Sequence, residues 1–178
     1  MNTAAKIIGN HVFFFPDGAN FTVPANGTAG RNSKPGAADA GWIDFGIVDS
    51  LGVNHQREEK KIFAPTPGQK RLHDVLETKR ELEIKIDCEE MSAKAFELTW
   101  GTLALTAAAN QQYNPLEGSV KKGWIKIQQY DQDDQLVNTV DVYCRLKVDG
   151  EVKYDDNEVK TPITLSVLHS TLNTGTLA

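Results

Sequence analysis

The histidines are the side chains of this chain with the widest capacity for catalysis or metal binding. The four of them lie far apart in the sequence, and none has a Cys, Asp or Glu partner at a recognised metal-ligand spacing. They are His11, His55, His73 and His169. The spacing therefore predicts surface or packing histidines, with no metal site and no bound cofactor.

A cluster of aspartates at 131, 133 and 134 resembles the start of a calcium-binding loop. Such a loop needs glycine at its sixth position and glutamate at its twelfth. This chain has Leu136 and Val142 there, so the cluster predicts a solvated hairpin turn and not a calcium site.

Three acidic pairs are further candidates for general acid–base work, but their spacing is unfavourable. Adjacent residues of a strand point to opposite faces, so such a pair seldom converges on one substrate atom. The pairs are Glu58-Glu59, Glu89-Glu90 and Asp155-Asp156. The motifs GxGxxG, GxxxxGK[ST], GxSxG and HExxH are also absent from the sequence. We expect no enzyme; an enzyme with a scattered site stays an alternative, which predicts a deep pocket with clustered, perturbed acids or histidines.

Composition is typical of one soluble globular domain spanning residues 1–178, with 40% hydrophobic and 24% charged residues. A net charge of -5 without a basic stripe argues against sequence-specific DNA binding. Cys88 and Cys144 both fall on the apolar phase of a strand pattern, which predicts buried free thiols. The apolar run at 7–15 is interrupted by polar residues and is too short to span a membrane.

The elements that must carry these residues are mainly strands. Apolar and polar residues alternate over 82–88, 140–148 and 163–167, which is the period of half-buried strands. A single helix is predicted near 90–100, where the apolar spacing changes and Gly101 follows. The fold class predicted is mainly β: an antiparallel β-sandwich or barrel with one flanking α-helix.

Three segments are predicted to lie outside the core. Residues 24–41 are small, polar and rich in glycine and proline, which is typical of a flexible surface loop. Residues 53–69 are charged and end in the breaker APTPGQ, which predicts a protruding hairpin or loop. Residues 170–178 form an uncharged, unpatterned C-terminal arm, and Gly46 within the strand 42–50 is expected to mark a bulge or a close backbone approach.

The order of these features resembles that of the major tail tube proteins of long, non-contractile-tailed bacteriophages. The resemblance rests on the strand WIDFGIV at 42–48, the charged hairpin at 53–69, and the segment ELEIKIDCEEMSAKAFELTWG, whose helix ends on Trp-Gly. It also rests on the closing strands that end in TPITLSVLHS. It covers residues 42–170 and leaves the first 41 residues unassigned.

The resemblance implies a structural virion protein that forms hexameric rings whose inner strands join into one continuous barrel. The rings would stack around a tape-measure protein and end at tail-tip and terminator proteins, in a tail assembled in the host cytoplasm. Viral DNA would pass through the lumen without specific binding, and no membrane would be involved. A conduit should not hold its cargo, so a neutral or acidic lining is expected, because cationic side chains bind DNA phosphates.

Candidate site residues follow from position in this pattern. The subunit or ring contacts are expected from the hairpin, from aromatic anchors and from the C-terminal arm; for Trp42, Trp100 and Trp124, core packing is an equally good interpretation. The candidate interface residues are Trp42, Phe45, His55, Arg57, Glu58, Glu59, Lys60, Lys61, Trp100 and Leu172. The polar phase of the strand at 81–87 is expected to face the lumen. The candidate lumen residues are Glu81, Glu83, Lys85 and Asp87.

Two other classes of protein fit the same sequence. One is a related ring protein: a tail terminator, a distal-tail ring or the tube of a secretion system. The other is a monomeric β-barrel that carries a small apolar ligand, which predicts a lined internal cavity. Stacking into tubes distinguishes a tube protein from a terminator, and a bound ligand in a monomer would indicate the carrier.

Overall fold

The computed structural model of this chain describes residues 9–88, 121–151, 153–154 and 159–177. These residues form ten strands joined by turns. The strands are β1 (Gly9–Pro16), β2 (Asn20–Phe21), β3 (Gly27–Thr28), β4 (Ile43–Thr66), β5 (Gln69–Cys88), β6 (Lys121–Tyr130), β7 (Leu136–Val148), β8 (Lys153–Tyr154), β9 (Val159–Val167) and β10 (Thr174–Leu177). The helix predicted near 90–100 and Trp100 lie outside the described residues.

Six of the strands close on one another as a barrel. The sheet runs β10-β7-β6-β1-β4-β5-β9-β8, and a further pairing between β7 and β9 joins its two sides. Each neighbouring pair in the ring β1-β4-β5-β9-β7-β6 is antiparallel. The prediction of a mainly antiparallel β fold is therefore confirmed for the described part of the chain.

The barrel interior is the main core, and the predicted alternation supplies it. Ile84, Ile86 and Cys88 point inward from β5, and Cys144 and Leu146 do so from β7. Each of these side chains is at most 2% exposed. The intervening polar residues face outward, as period-two strands require.

A second core lies on the outer wall of the barrel. It consists of Phe15, Phe21, Ala29, Trp124 and Tyr143. The segment between β1 and β4 covers this wall, and Ala29 within it is only 3% exposed. The expectation that residues 24–41 contribute nothing to the core is therefore wrong.

Backbone carbonyls hold this cover onto the barrel. The Trp124 indole N–H donates to the carbonyl oxygen of Gly30 at 2.8 Å, and the Lys126 ammonium donates to that of Ala37 at 2.8 Å. The Lys126 ammonium also lies 4.0 Å from the centre of the Trp42 ring, a cation–π contact. The cover thus provides acceptors for two buried hydrogen-bond donors of the outer wall. The composition of the segment does not reveal this role.

Asp39 fixes the shape of the cover from within. Its carboxylate accepts hydrogen bonds from the backbone N–H groups of Thr22 at 2.7 Å, Val23 at 2.8 Å and Gly41 at 2.9 Å. The backbone N–H groups of Gly41 and Val23 hold the pKa of Asp39 below its usual value. Hydrogen bonds to the ionised form have this effect because they favour the charged carboxylate.

Gly46 marks a bulge, as its place in the sequence predicts. The β1–β4 register shifts between His11 and Phe13, and Gly46 has a φ of 87°. Asp44 supports the bulge, because its carboxylate accepts from the Gly46 N–H at 2.9 Å and lies 2.7 Å from the His11 ring nitrogen. Glycine suits this position because other residues rarely adopt a positive φ.

The two last strands both pair with β7. β9 pairs with β7 from Cys144 to Val148, and β8 pairs with β9. The C-terminal arm carries β10, which pairs with β7 from Asn138 to Asp141. The aspartates at 131–134 form a turn, in which Asp131 accepts from the backbone N–H of Gln135 at 2.9 Å.

Candidate assembly surface

The surface most exposed to a partner is the hairpin formed by β4 and β5. The two strands pair from Val48 opposite Cys88 to Thr66 opposite Gln69. β1 pairs with β4 only as far as Ile47, and β9 pairs with β5 only from Glu83 onward. At about 3.3 Å per residue, residues 70–82 extend roughly 40 Å beyond the barrel.

The turn at the tip is formed by Pro67 and Gly68. Gly68 has a φ of 83°. Pro67 precedes it, and the proline ring restricts the φ of Pro67 to a value that suits the same turn. The structure extends the hairpin predicted at 53–69, because its second arm continues as far as residue 82 before the barrel begins.

Cross-strand pairing divides the hairpin into two faces. One face continues the inward side of the barrel, because Val53 lies opposite the buried Ile84. We name it the core-side face. Its members are Val53, His55, Arg57, Glu59, Lys61 and Phe63 on β4, and Leu72, Val75, Glu77, Arg80 and Leu82 on β5. The opposite side is the outer face.

The core-side face exposes large apolar side chains at its base and at its tip. Val53 at the base is 51% exposed. Phe63 and Leu72 lie directly opposite each other near the tip and are 51% and 54% exposed, while Val75 is 40% exposed. A cluster of exposed apolar side chains such as Phe63, Leu72 and Val75 at the tip is typical of protein contact sites.

Ion pairs stiffen the middle of the hairpin. On the core-side face, Arg80 donates from Nε to Glu77 at 2.6 Å and from a second nitrogen at 3.1 Å, and Arg57 lies 3.9 Å from the same carboxylate. The Arg80 hydrogen bond holds the pKa of Glu77 below its usual value. The Arg57 and Arg80 side chains are more than half exposed and that of Glu77 is 30% exposed, so solvent screens these pairs and their net contribution is small.

The outer face carries many charged residues and one large exposed apolar residue, Leu76. Lys79 lies 2.9 Å from Glu81 and 3.5 Å from Glu58. The hydrogen bond to Glu81 raises the pKa of Lys79 above its usual value. This lysine is therefore engaged by two carboxylates and is not a free cation.

The four candidate lumen residues all lie on the outer face. Glu81, Glu83 and Lys85 point outward from β5, whereas Ile84 and Ile86, which alternate with them, point toward the barrel core. Asp87 accepts a hydrogen bond from Ser50 at 2.7 Å. The structure brings these residues together on one surface, and whether that surface lines a lumen stays a prediction.

The candidate interface residues are divided among several places. His55, Arg57, Glu58, Glu59, Lys60 and Lys61 are exposed on β4 of the hairpin. Leu172 is 36% exposed in the turn before β10, and Trp42 packs against the second core. Phe45 is 0% exposed inside the barrel, so its assignment to a contact surface is wrong and its role is packing.

Sequence reasoning missed the apolar part of this surface. Val53, Phe63, Leu72, Val75 and Leu76 were not assigned to a contact. The signal that would have found them is cross-strand: Phe63 lies opposite Leu72, a pairing visible only once the turn at 67–68 fixes the register. Within one arm, basic and acidic residues separate the apolar ones and hide the pattern.

Other chemistry among the described residues is limited. No group of three His, Cys, Asp or Glu side chains there is placed to hold a metal ion. A cavity of about 310 Å³ lies between β2 and β3, lined by Asn20, Phe21, Thr22, Asn26, Gly27 and Thr28. A search of the described residues finds no helix able to cross a membrane.

Both cysteines are free and buried, as the strand pattern predicts. Burial raises the pKa of the Cys88 thiol to about 12, and it raises the pKa of the Cys144 thiol as well. A thiol must ionise to react as a nucleophile, so neither side chain is activated.

No family model and no curated protein matches this chain. Among solved structures, it is similar to a chain of the sheath–tube complex of an extracellular contractile injection system, PVC, in its extended state. That likeness has a TM-score of 0.49 and 10% identity, and covers 100% of this chain and 95% of the other. A second is a chain of the baseplate of the anti-feeding prophage, with a TM-score of 0.44 and 10% identity over 99% and 97% of the two chains. Both scores lie below 0.5 and record a likeness in chain path alone.

Proposed function

We propose that this protein is a structural subunit that assembles with copies of itself into rings, and that the rings stack as a tail-tube-like conduit. The observation that carries the proposal is the hairpin of β4 and β5, which projects from a complete barrel. The sequence resemblance to phage tail tube proteins supports the same role and implies six copies in a ring.

Unpaired strand edges give the hairpin its capacity to assemble. Among the described strands, residues 52–65 of β4 and 70–82 of β5 pair only with each other, so each arm keeps one open edge. Open edges are templates for pairing with another chain unless they are blocked. An isolated two-stranded hairpin is at best marginally stable in water, and added strands on both sides would stabilise it.

Rotational symmetry determines how such edges meet. Every copy in a ring has the same orientation along the ring axis, so all hairpins point the same way. The open edge of β5 in one copy then meets the open edge of β4 in the next, in antiparallel orientation. Each contact joins two different edges, and repetition by rotation closes the strands into a continuous inner barrel.

The outer face of the hairpin is the side we assign to the lumen. The core-side face carries four of the hairpin's five large exposed apolar residues, all except Leu76, and continues the barrel interior, so it packs against protein. The charged members of the outer face are Glu58, Lys60, Arg71, Asp74, Lys79, Glu81, Glu83, Lys85 and Asp87. Five acids against four bases leave -1 per copy. A nearly balanced, slightly acidic lining lets DNA pass without a cationic grip on its phosphates.

In this role the partners are further copies of the chain, a tape-measure protein within the growing tube, and proteins that close its two ends. DNA is cargo and not a ligand. The location is the tail of a virion or of a related particle, with assembly inside the host cell. A secretion-system tube or a terminator ring would use the same hairpin contacts and would differ in stacking.

The test is light scattering after size exclusion, followed by negative-stain microscopy of the same sample at rising concentration. We expect rings and stacked tubes from the wild-type chain. A variant in which Asn-Gly replaces residues 57–80 connects the paired residues Gln56 and Glu81 by a two-residue turn, so it keeps the barrel but loses the projecting edges. It should remain monomeric with an unchanged melting temperature. Rings formed equally well by the shortened variant would contradict the proposal, and rings that never stack would favour a terminator.

A further inference from the structure

The barrel wall opens into a seam at the end from which the hairpin projects. β9 pairs with β5 from Cys88 to Glu83, and the chain then continues as β10 on the edge of β7. Beyond Glu83 the edge of β5 is therefore no longer covered by β9. A cavity of about 210 Å³ lies at the root of this seam, lined by Gln56, Glu81, Leu82, Glu83, Ser166, Val167 and Leu168.

Leu177 stands on one side of the seam. It lies opposite Asn138, and its neighbour Gly175 lies opposite Val140, which packs against the barrel core. Leu177 therefore projects from the core-side surface of β10. It is 80% exposed, the highest value among the large apolar side chains described.

A ladder of amide side chains explains why the barrel's own core does not cover Leu177. Asn138 donates to Gln129 at 2.9 Å, and Gln129 donates to Asn10 at 3.1 Å. These three amides lie on the inward side of β1, β6 and β7, where they hydrogen-bond to one another. The strand residue opposite Leu177 is therefore the polar Asn138 and not an apolar core residue.

Val53 lies on β4 at the base of the hairpin. It is 51% exposed and lies on the core-side face opposite Ile84. β10 carries no charged residue, and a Cβ added at Gly175 would meet nothing within 4 Å. Lys34 contacts β10 at Thr174, which points to the opposite surface, so covering the core-side surface at Gly175 and Leu177 would bury no charged side chain of β10 and would meet no steric barrier at Gly175.

We propose that β10 of one copy covers the hairpin of the neighbouring copy, with Leu177 packed against the neighbour's core-side face at Val53. This contact rests on the proposed ring, in which the neighbour's β4 adds to the open edge of β5. Strands of one sheet keep their core-side faces on the same side. The neighbour's hairpin therefore enters the seam with Val53 on the same face as Leu177 of β10, where the two side chains can lie side by side. The occupant of the seam is a second copy of this chain.

Paired glutamate substitutions on β10 test the contact. Leu177→Glu places a charge on the core-side surface, whereas Thr176→Glu places the same charge on the opposite surface of the same exposed strand. We expect Leu177→Glu to raise the concentration needed for ring formation about tenfold or more, because a buried leucine is replaced by a carboxylate. Thr176→Glu should stay within about twofold of the wild type, and both monomers should melt at the wild-type temperature.

The outcomes separate this contact from the ring itself. A wild-type chain that stays monomeric at every concentration overturns the ring and this contact together. Rings that tolerate Leu177→Glu overturn the contact alone, as does an equal effect of the two glutamates. A lower melting temperature for the Leu177→Glu monomer would place Leu177 against its own chain, for example residues 89–120, and would also overturn the proposal.

Cross-linking tests the pairing directly. Leu177→Cys and Val53→Cys are made in separate chains, mixed, assembled and oxidised. The native thiols are buried and do not interfere. We expect a disulfide between the two different variants, and none when Thr176→Cys replaces Leu177→Cys, because its side chain projects away. Rings that give only Leu177→Cys homodimers, or no cross-link, would overturn the contact.

Discussion

Phe63 near the tip of the hairpin offers the sharpest test of why the core-side face is apolar. Its ring is 51% exposed and lies opposite Leu72, which is 54% exposed. Fully burying such a side chain contributes about 1.5–3 kcal/mol, so covering the exposed half contributes about 0.8–1.5 kcal/mol per contact. Phe63→Asp removes that term and adds the cost of burying a carboxylate.

The expected result is a shift in assembly without a shift in folding. About 1.4 kcal/mol corresponds to a tenfold change in an equilibrium constant, so the dissociation constant between copies should rise roughly tenfold. The monomer should lose less than about 0.5 kcal/mol, since the residue lies far from the barrel core. Sedimentation velocity over a concentration series measures the first quantity, and thermal unfolding measures the second.

Ala64→Asp is the matched control, because it also changes the charge by -1 and lies on the outer face of the same strand, opposite Arg71. It should leave association within about threefold of the wild type, since solvent screens an exposed charge. An unchanged dissociation constant for Phe63→Asp, or an equal loss in the control, would refute the reasoning that the core-side face packs against protein.

Three further predictions concern the scaffold. Gly123→Ala should destabilise the monomer by more than about 2 kcal/mol in chemical denaturation, because the new Cβ would lie 2.2 Å from a β1 carbonyl oxygen; Gly52→Ala, with nothing within 4 Å, is its control. Asp39→Asn should destabilise at pH 7, and the difference from the wild type should shrink as pH falls below 3.8, the usual pKa of this carboxyl, because its folded pKa is lowered and the stabilisation disappears when it is protonated. Cys88 and Cys144 should react with a thiol reagent only after unfolding, and fast reaction of the native chain at pH 8 would contradict their burial.

Patterns within single strands correctly predicted which residues are buried and where one strand bulges. Alternation placed Ile84 and Ile86 in the core because one face of each barrel strand is buried and the other is wet. Gly46 predicted a bulge because a positive φ is uncommon for other residues. The pairing of β7 with β9, which closes the barrel, could not be predicted in this way, because the pattern within one strand does not show which other strand lies beside it.

The cover at 24–41 shows where composition misleads. It has no large apolar residue, which predicts a segment outside the core, yet its carbonyl oxygens accept hydrogen bonds from Trp124 and Lys126. Every residue has a backbone carbonyl group, so the amino-acid composition of a segment cannot show which carbonyl oxygens accept hydrogen bonds from the core. Phe45 was misassigned because an aromatic residue suits a contact surface and a core equally well; in the structure it lies in the bulge between Asp44 and Ile47, with its ring buried 6.0 Å from that of Phe14.

Stability and assembly are separable in this molecule because they depend on different parts of it. Residues such as Trp124 and Leu146 are 0% exposed in one copy, so their contribution to folding is complete before any partner arrives. Val53, Phe63 and Leu177 remain more than half exposed, so most of their apolar surface contributes nothing until it is covered. Substitutions in the first group should therefore lower the melting temperature of the monomer, and those in the second should raise the concentration required for rings. A hairpin substitution that changed both equally would mean that the hairpin packs on its own barrel, and the case for assembly through it would fail.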